Sequence, residues 1–129
     1  MDEYIWINEL MAKEIHDSQI RKYGGSHGTR DEGLLISALA NPKNVYAYDP
    51  THTIASLASS YGYSIAKNHP FIDGNKRTAF LVVFVFLYLN DKLLKVPEPE
   101  AVIMMQNLAS GTIDQKQFTQ WIEKNLFPK

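Results

Sequence analysis

The sequence has no cysteine, which excludes disulfide bonds, thiolate catalysis and cysteine-ligated zinc. It also has no excess of one charge sign, since 13 lysines and arginines face 14 aspartates and glutamates and the formal net charge is -1. This balance argues against a disordered chain and against a protein that binds nucleic acid over a broad surface. We therefore expect no direct nucleic-acid binding, although net charge does not exclude a local cluster of cations.

Long hydrophobic runs are missing as well. The longest one, residues 79–89, is too short to cross a bilayer. The amino terminus, Met1-Asp2-Glu3, is acidic and lacks the basic start and apolar stretch of a secretory signal. These absences predict a cytoplasmic protein that does not associate with a membrane.

The sequence does contain enough apolar material for one hydrophobic core. Hydrophobic residues make up 45% of its 129 residues, a length that is usual for one domain. No repeat, low-complexity tract or linker divides the chain. We therefore expect a single domain over residues 1–129.

Apolar residues at three- and four-residue spacing predict about six helices and an all-α fold. Asn8 is a plausible cap for the first helix, which Gly24-Gly25 ends. Asp31 can cap a short second helix, which is expected to stop before Pro42 and to be followed by a connection.

The remaining helices have similar signals at their ends. A third helix is expected over about residues 53–68, and a later one is ended by Gly111. Asp114 with Gln117 three residues later resembles a capping box, which opens a final helix with the apolar residues Phe118, Trp121, Ile122 and Leu126. The short piece from residue 93 to residue 96 is compatible with an extended conformation.

The apolar block of residues 79–89 is ambiguous by itself. Its β-branched and aromatic residues suit a strand, whereas its length suits a helix that is buried on nearly all sides. A strand of this length without a pairing partner would leave its backbone groups unsatisfied, and no other segment is convincing as a strand. We therefore predict a buried central helix.

The residues that point to chemistry lie in one run just before this block, HPFIDGNKR at residues 69–77. Gly74 lets the backbone turn and approach a ligand closely. The residues after it open a helix, and the unpaired N–H groups of a helix start form an anion site. Lys76 and Arg77 add two cations there, so three features converge on phosphate.

The other residues of the run fit a phosphate site that includes a metal ion. Asp73 would repel phosphate unless a magnesium ion lay between them, which is a common arrangement. His69 is able to accept a proton near neutral pH. Asn75 can donate to phosphate or hold the loop backbone, and Phe71 is expected to point inward as the anchor of the loop. Taken singly, each residue is more simply explained as a turn, a cap or a surface side chain, and only their combination is informative.

This combination resembles the signature of the Fic/Doc superfamily. The Fic branch has roughly H-P-F-x-x-G-N-G-R-x-x-R, whereas the Doc (death-on-curing) branch is close to H-x-F-x-D-[AG]-N-K-R-T. The present run, with Asp73, Lys76 and Thr78, is closer to Doc. Further stretches, such as Tyr23-Gly24-Gly25 and Arg30-Asp31, look like other parts of the family, so that the resemblance extends over nearly the whole chain.

The resemblance implies an all-helical fold, with the signature on the loop between two central helices. It implies that His69 is the general base on a target hydroxyl and that Asp73 holds magnesium. The phosphates of ATP would be bound by the residues after the turn, which are Gly74, Asn75, Lys76 and Arg77. Lys67 occupies a position where a basic residue can assist in phosphate binding.

Two departures from the Fic pattern separate the branches. Lys76 replaces a glycine that leaves room for the nucleotide in Fic proteins, and Phe80 stands where they carry a second arginine. Fic enzymes generally transfer AMP, whereas Doc-type toxins resemble them but act as kinases. Fic proteins are often held inactive by an internal motif in which a glutamate is followed by glycine or asparagine. The nearest glutamate to this pattern here, Glu123, is followed by Lys124, so the motif is incomplete.

The resemblance therefore implies a Doc-type toxin of a type II toxin–antitoxin system, controlled by a separate, Phd-like antitoxin. Such a toxin transfers phosphate from ATP to a serine or threonine hydroxyl, with elongation factor Tu as the implied target. Transfer of AMP is the enzymatic alternative. A protein that acts only by binding, without catalysis, is the alternative from a different functional class.

Overall fold

Residues 3–129 are described by a computed structural model, in which six helices and two short strands follow one another. The elements in order are α1 (Glu9–Tyr23), α2 (Glu32–Tyr48), α3 (Ile54–Asn68), α4 (Asn75–Leu89), β1 (Lys92–Leu94), α5 (Glu98–Ser110), α6 (Gln115–Lys124) and β2 (Leu126–Pro128). The prediction of an all-α fold with six helices is confirmed, since the strands are only three residues long.

The helices begin where the sequence supplies caps. Asn8, Asp31 and Asp114 each accept a hydrogen bond from the backbone N–H three residues later, at the starts of α1, α2 and α6. At α6 the capping box is complete, because the backbone N–H of Asp114 also donates to Oε1 of Gln117 over 2.9 Å. Local sequence therefore determines where these helices begin.

Helix α4 is the buried central helix, as predicted. Its residues Val82, Val83, Phe86 and Leu87 are completely buried, and it packs against α1, α3, α5 and β1. The β-branched residues of α4 are accommodated because the burial of apolar surface outweighs their weak preference against helix. None of the helices within residues 3–129 has both the length and the apolar composition to span a bilayer.

Helices α3, α4 and α6 meet at Gly62. A β-carbon at this position would lie 2.7 Å from Cγ2 of Val83 and 2.9 Å from Cε2 of Phe118, so only glycine permits such close packing. Tyr61, the preceding residue, accepts a hydrogen bond from the backbone N–H of Ile7 over 2.9 Å. Burial raises the pKa of its hydroxyl to about 12, and the hydrogen bond from Ile7 opposes this shift.

Two expectations about helix ends were wrong. Helix α2 does not stop before Pro42 but continues through it to Tyr48. A proline inside a helix removes one backbone hydrogen bond and costs about 3 kcal/mol. Pro42 is itself buried, and the added turns pack Val45 and Tyr46 against the core, which offsets this cost.

The other correction concerns the end of the chain. Leu126 was expected in the last helix, yet α6 ends at Lys124 and Leu126 begins β2. This strand pairs with β1 in antiparallel register, with Leu94 opposite Leu126. The backbone groups of the extended piece at residues 92–94 thus find the partner that the sequence did not reveal.

Candidate functional site

The run at residues 69–77 spans the connection between α3 and α4 and the first turn of α4. His69 ends α3 in the left-handed conformation, with φ 51° and ψ 58°. Gly74 precedes α4 in the same region, with φ 70° and ψ 24°. A non-glycine residue in this conformation is uncommon, and it persists only where the surroundings hold it.

The start of α4 is open. No side chain caps it, and its first backbone hydrogen bond runs from Thr78 N to Gly74 O over 3.0 Å. The N–H groups of residues 75–77 therefore have no partner within the helix. Lys76 is exposed, and its ammonium makes no hydrogen bond or ion pair with residues 3–129. An uncapped helix start beside cations attracts anions through hydrogen bonds and through its dipole.

Arg77 is held beside this start by the end of α1. Its Nη2 donates to the carbonyl oxygen of Gly24 over 3.3 Å, and its guanidinium lies 5.1 Å from the centre of the Tyr23 ring. These contacts restrict the side chain before any ligand arrives.

The carboxylate of Asp73 is exposed but fixed by two backbone donors. Its Oδ1 accepts from the N–H of Gly74 over 3.0 Å, and its Oδ2 accepts from the N–H of Ser26 over 3.3 Å. Each oxygen keeps a further lone pair for a ligand. No group of three histidine, aspartate or glutamate side chains that could hold a metal ion occurs within residues 3–129. A metal here would thus rest on one carboxylate, on water and on phosphate, as magnesium does in many nucleotide sites.

Gly25 makes room for this carboxylate. A β-carbon at Gly25 would lie 2.8 Å from Oδ2 of Asp73, and the residue has φ 114°, a conformation that side chains rarely adopt. The sequence indicated only that Gly24-Gly25 ends a helix and belongs to a stretch that resembles the family. The close approach of Gly25 to Asp73 could not be read from residues that lie far apart in the chain.

His69 is positioned through its backbone by Arg30, a residue of the Arg30-Asp31 stretch whose contact with His69 the sequence did not predict. Arg30 donates from Nε to the carbonyl oxygen of His69 and from Nη2 to that of Asn68, each over 2.7 Å. The imidazole of His69 is exposed and makes no hydrogen bond with residues 3–129. Arg30 thus holds the end of α3 while the imidazole faces solvent.

Asn75 uses its side chain within the loop. Its Oδ1 accepts from the N–H of Phe71, and its Nδ2 donates to the carbonyl oxygen of Phe71, both over 3.0 Å. Asn75 is 8% exposed and Phe71 only 1%. Of the two roles considered for the Asn75 side chain, the structure shows the second, in which it holds the backbone of the loop. The backbone N–H group of Asn75 remains available to a ligand.

Lys67 is directed elsewhere. Its ammonium donates to the carbonyl oxygen of Ala109 over 3.4 Å, close to the end of α5, where the helix dipole favours a cation. The contacts of Lys67 are therefore with α5 and not with the loop.

The connection between α1 and α2 braces the loop from outside. The carbonyl oxygen of Pro70 accepts from the N–H groups of Arg30 and Asp31, over 2.7 and 3.0 Å. The N–H of Ile72 donates to the carbonyl oxygen of Gly28 over 3.1 Å. The loop is thus held in one shape in advance, which is how binding and catalytic sites reduce the entropy lost on reaction.

Comparison with known proteins agrees with this geometry. The chain matches the Fic/DOC family over residues 6–87. It is 41% identical over 69 residues to the "Toxin Doc" of Mycolicibacterium smegmatis, a match that covers 53% of each chain and so about half of that relative. It is also 30% identical over 105 residues to the "Protein kinase doc" of Escherichia phage P1, which covers 81% of each chain.

The family match contains α1 to α3 and nearly all of α4, and therefore the whole loop and the segment that braces it. The longer similarity to the phage protein supports the same relationship over most of the chain. The all-helical structure, the signature loop and these two similarities together show that the chain belongs to the Fic/DOC family, on its Doc side.

Proposed function

We propose that this protein is the toxin of a toxin–antitoxin pair and that it transfers the γ-phosphate of ATP to a serine or threonine hydroxyl of a protein. The observation that carries the proposal is the open start of α4, where unpaired N–H groups, Lys76 and Arg77 lie beside Asp73. The names of the two relatives, a toxin and a protein kinase, support the same activity. We propose further that residues 1–129 act as one domain and work in the cytoplasm.

In this proposal the start of α4 binds the phosphates of ATP. The N–H groups of residues 75–77, the turn at Gly74 and the side chains of Lys76 and Arg77 supply the donors and the positive charge. Magnesium, bound through Asp73, would neutralise the charge that develops on the phosphate oxygens. Lys67 takes no direct part, since its partner is on α5.

His69 is the proposed general base. The target hydroxyl oxygen forms a bond to the γ-phosphorus, and the bond from that phosphorus to the β–γ bridging oxygen breaks. ADP leaves with the bonding electron pair, and the hydroxyl proton passes to the imidazole of His69. The exposed position of His69 suits a target as large as a protein, because a bulky acceptor can approach a side chain that is open to solvent in the part of the chain that the structure describes.

The surroundings of Phe80 favour phosphate transfer over AMP transfer. Fic proteins, which generally transfer AMP, carry their second arginine at this position. Here the centre of the Phe80 ring lies 6.5 Å from that of Trp121 in α6, so an apolar side chain occupies this position. Lys76 in addition adds a long cationic side chain where Fic proteins have glycine.

The test is a label-transfer assay with elongation factor Tu as the first candidate acceptor. Label on the γ-phosphate of ATP should reach the acceptor, whereas label on the α-phosphate should not. The His69→Ala variant should lose at least about a hundredfold in rate, the usual contribution of a general base. His52→Ala is a control at another histidine, because His52 lies just before the start of α3, at the opposite end of this helix from His69, and its Nδ1 donates to the carbonyl oxygen of Asp49 over 2.8 Å.

The results would separate the candidate functions. Transfer of the α-label alone would contradict the kinase and favour AMP transfer. Growth arrest that persists in cells producing His69→Ala would favour a protein that acts only by binding. Growth that recovers when a Phd-like antitoxin is produced with the wild-type chain would support the proposed pairing.

A further inference from the structure

His16 is a buried histidine to which the proposed reaction gives no role. It lies in the middle of α1, is 2% exposed and is separated from Asp73 by 57 residues of sequence. From the sequence we expect His16 to be packed or hydrogen-bonded on the first helix, within a stretch, His16-Asp17, that also resembles the family. The structure shows both, and both of its contacts are with the signature loop.

The first contact is a hydrogen bond. Nε2 of His16 lies 2.8 Å from the backbone carbonyl oxygen of Asp73. A carbonyl oxygen can only accept, so Nε2 must carry the hydrogen. This bond fixes the peptide group that follows the α-carbon of Asp73, and with it the direction in which the carboxylate leaves the backbone.

The second contact is an aromatic stack. The imidazole lies parallel to the ring of Phe71, with 4.0 Å between the ring centres and 6° between the planes. Phe71 is in turn held at both backbone groups by Asn75. The His16 ring is therefore fixed on one side by a rigid neighbour, and its donor cannot swing away from Asp73.

We propose that His16 is a positioning residue for Asp73, and that it tunes the affinity of this carboxylate for the metal of the metal–nucleotide complex. The inference rests on the proposed function, because Asp73 is a metal ligand only there. Residues that orient a metal ligand from behind commonly change metal affinity or activity by about 10- to 100-fold when altered. The hydrogen bond from His16 connects Asp73 to α1. It is separate from the hydrogen bond that Ser26, in the connection between α1 and α2, donates to the Asp73 carboxylate.

Substitutions can separate the hydrogen bond from the stack. His16→Phe keeps a ring beside Phe71 but removes the donor. His16→Gln removes the ring but places an N–H donor at the same distance along the side chain as Nε2. His16→Met has a similar length to glutamine and no donor, which makes it the matched control for the glutamine variant.

The measurement that avoids turnover is binding of Mn2+ in the presence of a non-hydrolysable ATP analogue, followed by electron paramagnetic resonance. His16→Phe and His16→Met should bind Mn2+ about 10- to 100-fold more weakly than the wild type, whereas His16→Gln should stay within a few-fold. In the label-transfer assay the same two variants should need more Mg2+ for half-maximal rate, with the KM for the acceptor protein unchanged. A purely structural role would not produce a rescue by glutamine in both measurements.

The outcomes distinguish this inference from the proposed function. Equal Mn2+ affinity in the wild type and in a folded His16→Phe variant would overturn the role of His16 and leave the kinase proposal intact. Failure of the wild type to bind Mn2+ with the nucleotide would overturn the metal role of Asp73, and the inference with it. If His16→Phe does not fold, the Gln and Met pair decides, because a positioning role requires that only glutamine preserves affinity.

Discussion

Helices α4 and α6 begin in opposite ways. At α6 the carboxylate of Asp114 accepts from the N–H of Gln117 over 2.8 Å, and the two residues form a reciprocal capping box. At α4 the preceding residue is Gly74, which has no side chain to offer, and the first turn carries Lys76 and Arg77. Both cations face the positive end of the helix dipole, an unfavourable arrangement for the folded protein alone.

This difference shows which helix start serves the fold and which is left for a ligand. The α6 start satisfies its own donors with residues from the same turn. The α4 start depends on partners that are distant in sequence, such as Ser26 and Arg30, and keeps its N–H groups open. Binding sites commonly retain features that reduce stability in the absence of their ligand.

The largest expected effect tests how far the site at the start of α4 depends on the connection between α1 and α2. In Gly25→Ala the new β-carbon would lie 2.8 Å from Oδ2 of Asp73 and displace the carboxylate. Label transfer should fall by about 10- to 100-fold, since a displacement of about 1 Å at a catalytic site costs that much. Gly24→Ala is the control, because Gly24 also has positive φ (84°) but nothing lies within 4 Å of its added β-carbon. Equal losses in both variants would mean that backbone strain alone matters.

The second effect compares one lysine at the same position of each helix. Lys76 and Lys116 are both exposed and both occupy the second residue, of α4 and α6 respectively. Lys76→Glu should weaken binding of an ATP analogue at least about tenfold by calorimetry, because a donor to phosphate is replaced by a negative charge. Without nucleotide it should raise the free energy of unfolding by about 0.5 kcal/mol, through the helix dipole.

Lys116→Glu should give a similar gain in stability and leave nucleotide binding unchanged. At Lys76 we expect lower nucleotide affinity together with higher stability, whereas at Lys116 we expect higher stability alone. This result would sharpen the comparison between the two helix starts. Unchanged nucleotide binding by Lys76→Glu would show that α4 is not the phosphate site.

The third effect concerns the cap of α6. Asp114→Ala removes the acceptor for the N–H of Gln117 and should lower the free energy of unfolding by about 1 kcal/mol in urea denaturation. Label transfer per folded molecule should not change. Asp114→Asn keeps an acceptor of comparable strength and should retain most of the stability. If fully folded Asp114→Ala protein loses label-transfer activity, the start of α6 also contributes to the site. The contrast drawn between the two helix starts would then be wrong.

The smallest effect concerns a buried hydroxyl in the first turn of α4. Within residues 3–129, Oγ1 of Thr78 is buried without a hydrogen-bond partner. Thr78→Val removes an unpaired polar atom at nearly constant volume, so the free energy of unfolding should stay the same or rise by up to about 1 kcal/mol. Thr119 in α6 is the control, because its Oγ1 donates to the carbonyl oxygen of Gln115 over 2.9 Å. Thr119→Val should lose stability by about 0.5 kcal/mol, measured in the same urea titration.

The sequence predicted those features that depend on nearby residues. Asn8, Asp31 and Asp114 cap helices through atoms three residues away, and Gly111 ends α5 as expected. The buried helix over residues 79–89 followed from the lack of a pairing partner for a strand. These features require no knowledge of how distant segments pack.

The features that the sequence missed depend on contacts between distant segments. Pro42 stays inside α2 because later residues of that helix pack against the core. Arg30 was named only as part of a stretch that resembles the family, but its side chain donates to the carbonyl oxygen of His69, 39 residues away. The role of Asn75 was left open between phosphate and loop until its contacts with Phe71 were known. Propensity and motif identify candidate residues but do not assign their partners.

The bridge between Thr29 and Phe71 and the hydrogen bond from Ile72 to Gly28 have a consequence for folding. Contacts between segments about 40 residues apart form only after the intervening chain has closed, at an entropic cost that grows with its length. Since chains emerge from the ribosome amino terminus first, residues 24–31 are present before the loop they brace. Helix α6, which packs on Gly62 in α3, emerges after α1 to α4. A nascent chain that lacks α6 should therefore contain every residue of the signature and still lack its finished geometry.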